Sequence, residues 1–173
     1  GPSGSGKSTL LHCMSGVLTP DSGEVVFDGT NIAALDDAAR SKLRLNHFGF
    51  IFQDGQLLPE LTATENVALP QIMRGTSRKE AHEQADDMLT RLGLGNFTSR
   101  FPGQLSGGQA QRVAIARALA GPPKVVFADE PTAALDQATG HEVMQEIVAV
   151  AQKFGVTLVL VTHDPKIAAW CNR

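Results

Sequence analysis

The first eight residues, Gly1-Pro2-Ser3-Gly4-Ser5-Gly6-Lys7-Ser8, fit the pattern GxxxxGK[ST] in full. Glycines at this spacing let backbone N–H groups turn inward around phosphate oxygens without Cβ clashes. Lys7 supplies a point charge for β- and γ-phosphates, and the Ser8 hydroxyl is a magnesium ligand. The helix that opens there adds the positive end of its dipole. This chemistry holds a nucleoside triphosphate with its metal ion.

Two further groupings complement the loop. In Val125-Val126-Phe127-Ala128-Asp129-Glu130 an apolar strand carries two carboxylates to its C-terminal end, where α/β sheets place ligands. Neighbouring residues on a strand point opposite ways, so the two acids have different jobs. Asp129 is the magnesium holder, and Glu130 the base that polarises an attacking water. Leu105-Ser106-Gly107-Gly108-Gln109 opens a second helix with free backbone donors and a hydroxyl, a second anion site. One nucleotide already has its own loop, so this site calls for another phosphate. Gln53, after an apolar run, could orient water or touch magnesium. His163, after another, could donate to a γ-phosphate, and Asp136 lies just beyond the Glu130 strand. Taken singly, each of these three fits a solvated loop residue, and His12, His47, His82 and His141 read as structural.

The elements that must position these groups follow from local signals. Thr9 to Gly16 reads as a helix closed by its glycine. Glu24 to Phe27 is a short strand before an Asp28-Gly29 turn. Phe48 to Phe52 is a strand, followed by an irregular segment with Pro59 and Pro70. Arg78 to Leu92 is a helix stopping at Gly93. Ser106 to Ala120 is another, with Ser106 as N-cap and Gly121 as stop. Val125 to Ala128 and Thr157 to Thr162 are strands. Val143, Ile147, Val150 and Phe154 recur at helical spacing, giving an amphipathic helix over Gln137 to Phe154. Asp164-Pro165 opens a last short helix. Strands alternating with helices indicate an α/β core with a parallel sheet, and Leu61 to Ala120 reads as a helical insertion.

The bulk numbers fit one domain. The chain has 173 residues, enough for a single core, and a net charge of −3, which gives no basic surplus for nucleic acid. Cys13 and Cys171, far apart, read as buried free thiols. No apolar run has membrane-helix length, and no signal peptide is visible. The chain lacks an initiator methionine and opens on a loop that normally follows a strand, so it reads as N-terminally clipped.

Together, GPSGSGKST, the Gln53 loop, LSGGQ, VVFADEPT, AALD and VTHD resemble the ATPase subunit of an ABC transporter, in the family's order and over nearly the whole chain. The resemblance implies an α/β P-loop NTPase fold with a RecA-like, mostly parallel sheet, a small antiparallel β part and a helical subdomain at about 62–120. Residues 1–173 are then a single ATPase domain, incomplete at both ends. It implies ATP and Mg2+ as cofactors, bound by Gly1, Pro2, Ser3, Gly4, Ser5, Gly6, Lys7, Ser8 and Thr9. Magnesium falls to Ser8, Gln53 and Asp129, and catalysis to Glu130, His163 and Gln53. It implies a homodimer packed head to tail, in which the Ser106 helix, with Gly107, Gly108 and Gln109, caps the ATP held by Lys7 of the partner; Asp136 is a further nucleotide-binding residue. An integral membrane permease is the further partner, served from the cytoplasmic face of the membrane, with no nucleic acid. FIFQDGQLLPELTATENVALP and GQLSGGQAQRVAIARAL resemble most the branch of lipoprotein-releasing, macrolide-efflux and cell-division ATPases. The exposed apolar segment Gln56 to Leu61 is expected to meet the permease. Alanines 133 and 134 are a mild departure from the family pattern. A soluble ABC ATPase, or a switch that dimerises on ATP with little turnover, is the alternative. The family's sheet order also predicts that Thr157 to Val161 pairs with Val125 to Ala128 on one side only, with Phe48 to Phe52 beyond.

Overall fold

The computed structural model describes residues 4–171. Its centre is a parallel sheet of β3 (Phe48–Ile51), β4 (Val125–Asp129) and β5 (Thr157–Val161), in the order β3-β4-β5. The expected neighbours are therefore correct, and among the described residues β5 pairs with β4 alone. The register sets Ile51 beside Ala128 and Ala128 beside Leu160. All three strands thus run out at one edge, and Phe52-Gln53, Asp129-Glu130 and Thr162-His163 emerge there together.

Strand alternation divides the core. Phe127 turns to one face, where Phe48 meets it edge-on at 5.1 Å between centroids and Phe50 stacks at 5.7 Å. Buried Leu11 of α1 (Lys7–Met14) and Ile32 close that side. Val126 and Ala128 turn to the other face, against helices α5 (Gly107–Leu119) and α6 (Gln137–Phe154). Each large apolar side chain buried there, such as Val143, Met144 and Ile147 of α6, stabilises the fold by about 1.5–3 kcal/mol. Helix α5 comes so near β3 that a Cβ on Gly49 would collide with the Ala118 carbonyl, which is why a glycine interrupts that strand.

The antiparallel part is a hairpin, β1 (Val26–Phe27) with β2 (Thr30–Asn31). Asp28 and Gly29 turn it at φ of 48° and 77°, the paired positive values that two-residue hairpins use. Two helices were not foreseen. Helix α2 (Asp37–His47) has no fully buried residue and meets the core through half-buried Leu43; Asp36 caps it by accepting from the Ala39 N–H at 2.7 Å.

Helix α3 (Ala63–Met73) lies where the prolines suggested irregular chain, with Pro70 inside it. A capping box starts α3: Thr62 accepts from the Glu65 N–H, and Glu65 accepts from the Thr62 N–H. Complete burial of Ala63, Val67 and Ala68 offsets the cost of an interior proline. Buried Asn66 also pins the preceding loop. Its amide oxygen takes the Leu58 N–H at 2.8 Å, and its nitrogen donates to the carbonyls of Leu58, Leu61 and Thr62.

Helices α4 (Arg78–Arg91), α5 and α6 fall where expected, and α7 (Pro165–Ala168) follows its Asp164 cap. Cys13 and Cys171 are free but half-buried rather than buried. Among the described residues no helix is long and apolar enough to cross a membrane.

Candidate nucleotide site at the sheet edge

The loop before α1 turns at Gly4 and Gly6, with φ of 77° and 81°. Nothing lies within 4 Å of where their Cβ atoms would stand, so backbone conformation, not crowding, calls for glycine. Gly6 occupies the N-cap of α1 and makes no side-chain capping bond. Lys7, Ser8 and Thr9 form that first turn, while Gly1, Pro2 and Ser3 lie outside the described residues.

Ser8 Oγ donates to Asp129 Oδ1 at 3.1 Å. The first turn of α1 and the last residue of β4 thus bring two oxygen ligands together. Among the described residues no cluster of three His, Cys, Asp or Glu side chains could hold a metal by itself. One hydroxyl and one carboxylate suit magnesium, which keeps most of its shell in water and phosphate oxygens.

Glu130, one residue on, turns elsewhere. Its backbone leaves the strand at φ 45°, its N–H bonds the Val161 carbonyl at 2.9 Å, and its Oε2 lies 2.7 Å from His163 Nδ1. An ionised carboxylate only accepts, so Nδ1 carries the proton of this bond. The carboxylate side chain is 22% exposed and the imidazole 60%, which leaves both within reach of solvent and substrate. The two adjacent acids therefore have separate partners, as strand geometry demanded. Gln53 is exposed two residues beyond β3 on the same edge.

The groups of the second anion site sit apart from these. Ser106 caps α5 and forms a reciprocal box with Gln109: the Gln109 N–H donates to Ser106 Oγ at 3.3 Å, and the Ser106 N–H to Gln109 Oε1 at 2.9 Å. Ser106 and Gly107 are exposed and Gly108 is buried. A side chain on Gly108 would strike Thr139, whereas one on Gly107 would only touch Leu135. Asp136 caps α6 by accepting from the Ala138 and Thr139 N–H groups, each at 3.1 Å. Hydrogen bonds from Thr139, side chain and backbone, hold its carboxyl below the ordinary value. Ser106, Gln109 and Asp136 make no hydrogen bond to Ser8, Asp129, Glu130 or His163 among the described residues.

Two contributors escaped the sequence reading. Gln111 of α5 donates to the Phe52 carbonyl at 3.0 Å, and Arg117 donates to the Gly55 and Gln56 carbonyls at 2.7 Å each. Both ends of the Gln53 turn are thus tied to α5. Gly55 and Gln56 take φ of 70° and 43° within the turn. Burial pushes the Arg117 pKa down, though a guanidinium stays charged throughout the physiological range.

The sequence profile of the ABC transporter family matches residues 1–133. The chain belongs to this family. It is 50% identical over 173 residues to the lipoprotein-releasing system ATP-binding protein LolD of Shewanella frigidimarina, covering 100% of this chain and 72% of the relative. It is 46% identical over 169 residues to the ABC transporter ATP-binding protein YtrE of Bacillus subtilis, covering 98% and 73%. The fold superimposes, at a TM-score of 0.88, on a chain of the solved dimeric ATP-binding cassette MJ0796, in a post-hydrolysis state bound to ADP and Pi. That match has 44% identity and covers 98% of this chain and 75% of the other. The expected fold class and the lipoprotein-releasing branch are both borne out, and with them the ATPase activity of the family.

Proposed function

We propose that this chain binds ATP with magnesium at the sheet edge, hydrolyses it within a head-to-tail dimer, and drives a membrane permease from the cytoplasmic face. The observation that carries this is the convergence on one edge of the Ser8–Asp129 pair at 3.1 Å and the Glu130–His163 pair at 2.7 Å.

Each residue then has a physical task. The amides of the Gly1 to Gly6 loop and the Lys7 charge take the phosphates, with Thr9 in the same turn. Ser8 and Asp129 hold the magnesium ion, with Gln53 reaching it or its water. Bound magnesium neutralises charge on the phosphate oxygens. Glu130 accepts the proton of the attacking water, and the imidazole of His163 fixes the carboxylate while its other nitrogen faces the γ-phosphate. Ser106, Gly107, Gly108 and Gln109 of one protomer, with Asp136, close the nucleotide held by the other. Residues 62–120 then serve as the helical subdomain that brings this end across.

The permease meets the cassette beside the Gln53 loop. Leu58 stands 42% exposed on the turn that Asn66 pins, a fixed apolar contact. Leu57 and Leu61 are half-buried, and Leu57 packs on the core. Leu58→Asp should spare ATP binding and uncouple transport.

Glu130→Gln in the full-length protein tests the catalytic assignment. Turnover should fall by about 10²- to 10⁴-fold while ATP binding persists and ATP-bound dimers accumulate. Wild-type turnover in the variant would remove Glu130 from the role of base. Turnover unchanged by the permease, and no complex with it, would favour a soluble ATPase instead.

A further inference from the structure

Helices α5 and α6 lie side by side and run in the same direction, with Gly108 facing Thr139 and Arg112 facing Glu142 and Glu146. Their N-termini, capped by Ser106 and Asp136, therefore open toward the same end of the molecule. The helices approach closely there because a side chain is missing. A Cβ on Gly108 would stand 2.7 Å from Thr139 Cγ2. Thr139 also donates its N–H to the Asp136 carboxylate, so the contact links one cap to the other.

That close approach leaves the first turn of α5 with little to fix its angle. No large apolar side chain occurs in α5 before Val113, and Leu105, just ahead of the cap, is only half-buried. Arg112 supplies the hold. Its Nε donates to both carboxylate oxygens of Glu146 at 3.0 Å, and its Nη2 donates to Glu142 Oε2 at 3.3 Å. The two acids stand one turn apart on α6. A single planar guanidinium is thus gripped at two heights, which resists both sliding and rotation of α5 against α6. The Arg112 and Glu146 side chains are 23% and 29% exposed. An ion pair this open to water adds little to folding stability, so its consequence is the geometry it sets.

We infer that Arg112 is a positioning residue for the neighbouring protomer's ATP: gripped by Glu146 and Glu142, it locks α5 onto α6, so that Ser106 and Asp136 reach that nucleotide as one rigid jaw. The inference rests on the head-to-tail dimer proposed above and adds what aligns its two caps.

The test uses full-length proteins. R112Q and E146Q should each lower turnover roughly 10- to 100-fold, the effect of an ångström-scale misplacement. Each monomer should still bind a fluorescent ATP analogue as wild type does. The double variant should lose no more than R112Q alone, because both changes break one contact. Mixed dimers then separate positioning from damage to the chain's own site. In a hybrid of R112Q with Lys7→Ala, both defects meet at one nucleotide and the other site is intact, so activity should rise above either protein alone. R112Q mixed with Ser106→Arg has no intact site and should gain nothing. Thermal melts establish that the variants fold, and E146Q, in the same mixtures, carries the reading if R112Q does not fold. Wild-type turnover in the folded variants, weakened ATP binding by their monomers, multiplied losses in the double variant, or a gain with Ser106→Arg each overturns the inference. So does the absence of a gain with Lys7→Ala in demonstrated hybrids, when Ser106→Arg does gain from the same partner. If neither gains, the dimer reading falls as well.

Discussion

The molecule has two helix N-termini suited to phosphate, and they are built in opposite ways. At α1 the cap is Gly6, left-handed and without a side-chain bond. At α5 the cap is Ser106, and a reciprocal box with Gln109 already satisfies the turn. The first therefore has no side-chain box for a ligand to displace. The second is ordered by its own side chains and must loosen that box before it can grip anything else. The contrast suits a protein whose loop binds ATP in each protomer and whose α5 engages only when a second protomer arrives.

The largest expected effect comes from separating the two sites on different chains. Full-length Lys7→Ala and Ser106→Arg proteins should each be nearly inactive. Mixed at equal amounts, half the dimers are hybrids with one intact site of two, so activity should return to at most about a quarter of wild type. Failure to recover, with hybrids demonstrated, would place both helix ends on one chain's nucleotide and erase the contrast.

A smaller effect should distinguish the caps. Gly6→Ala forces a Cβ into left-handed backbone at a cost of about 1–2 kcal/mol, which should weaken ATP binding roughly tenfold. Ser106→Ala should instead lower the stability of the unliganded monomer by about 0.5–2 kcal/mol, read from urea midpoints, with ATP affinity of the monomer unchanged. The reverse pattern would mean that the roles of the two ends are exchanged.

The smallest effect concerns a third helix end, α6, capped by a carboxylate. Asp136 has its folded pKa lowered by its bonds to Thr139 and Ala138. Its contribution is complete above the ordinary aspartate value of about 4 and fades as pH falls through the lower folded value. Acid melts should therefore show wild type losing more stability than Asp136→Asn between about pH 5 and 2. Parallel curves would remove Asp136 as an acid-sensitive cap.

The legible parts of the fold carried short local signals. Ser106 announced α5, Gly93 the stop of α4, and the spacing of Val143, Ile147, Val150 and Phe154 announced α6, while apolar runs announced three strands. The site motifs were legible because glycine, lysine and paired acids are required by type. Helix α2 escaped because none of its residues is fully buried and Leu43 alone of its apolar side chains packs on the core. Helix α3 escaped because Pro70 outweighed its Thr62 and Glu65 caps, and because burial spread over Ala63, Thr64, Asn66, Val67, Ala68 and Gln71 leaves no clear polar face. The clamp on the Gln53 turn was beyond reach. Gln111 and Arg117 grip backbone carbonyls 59 to 62 residues earlier in the chain, and a carbonyl has no residue type to read.

That clamp makes α5 a rod attached at both ends. Ten residues separate Gly107 from Arg117, which at helical rise is about 15 Å. One end meets the neighbour's nucleotide in the proposed dimer. The other is fastened to the carbonyls of Gly55 and Gln56 beside Gln53. A continuous backbone-bonded rod does not shorten under load, so any tilt or thrust at the Ser106 end arrives at the Gln53 turn with little loss. No relay of side chains has to rearrange along the way. The arrival of a second protomer and the posture of Gln53 are then a single mechanical event, with the torque carried by thirteen residues of helix.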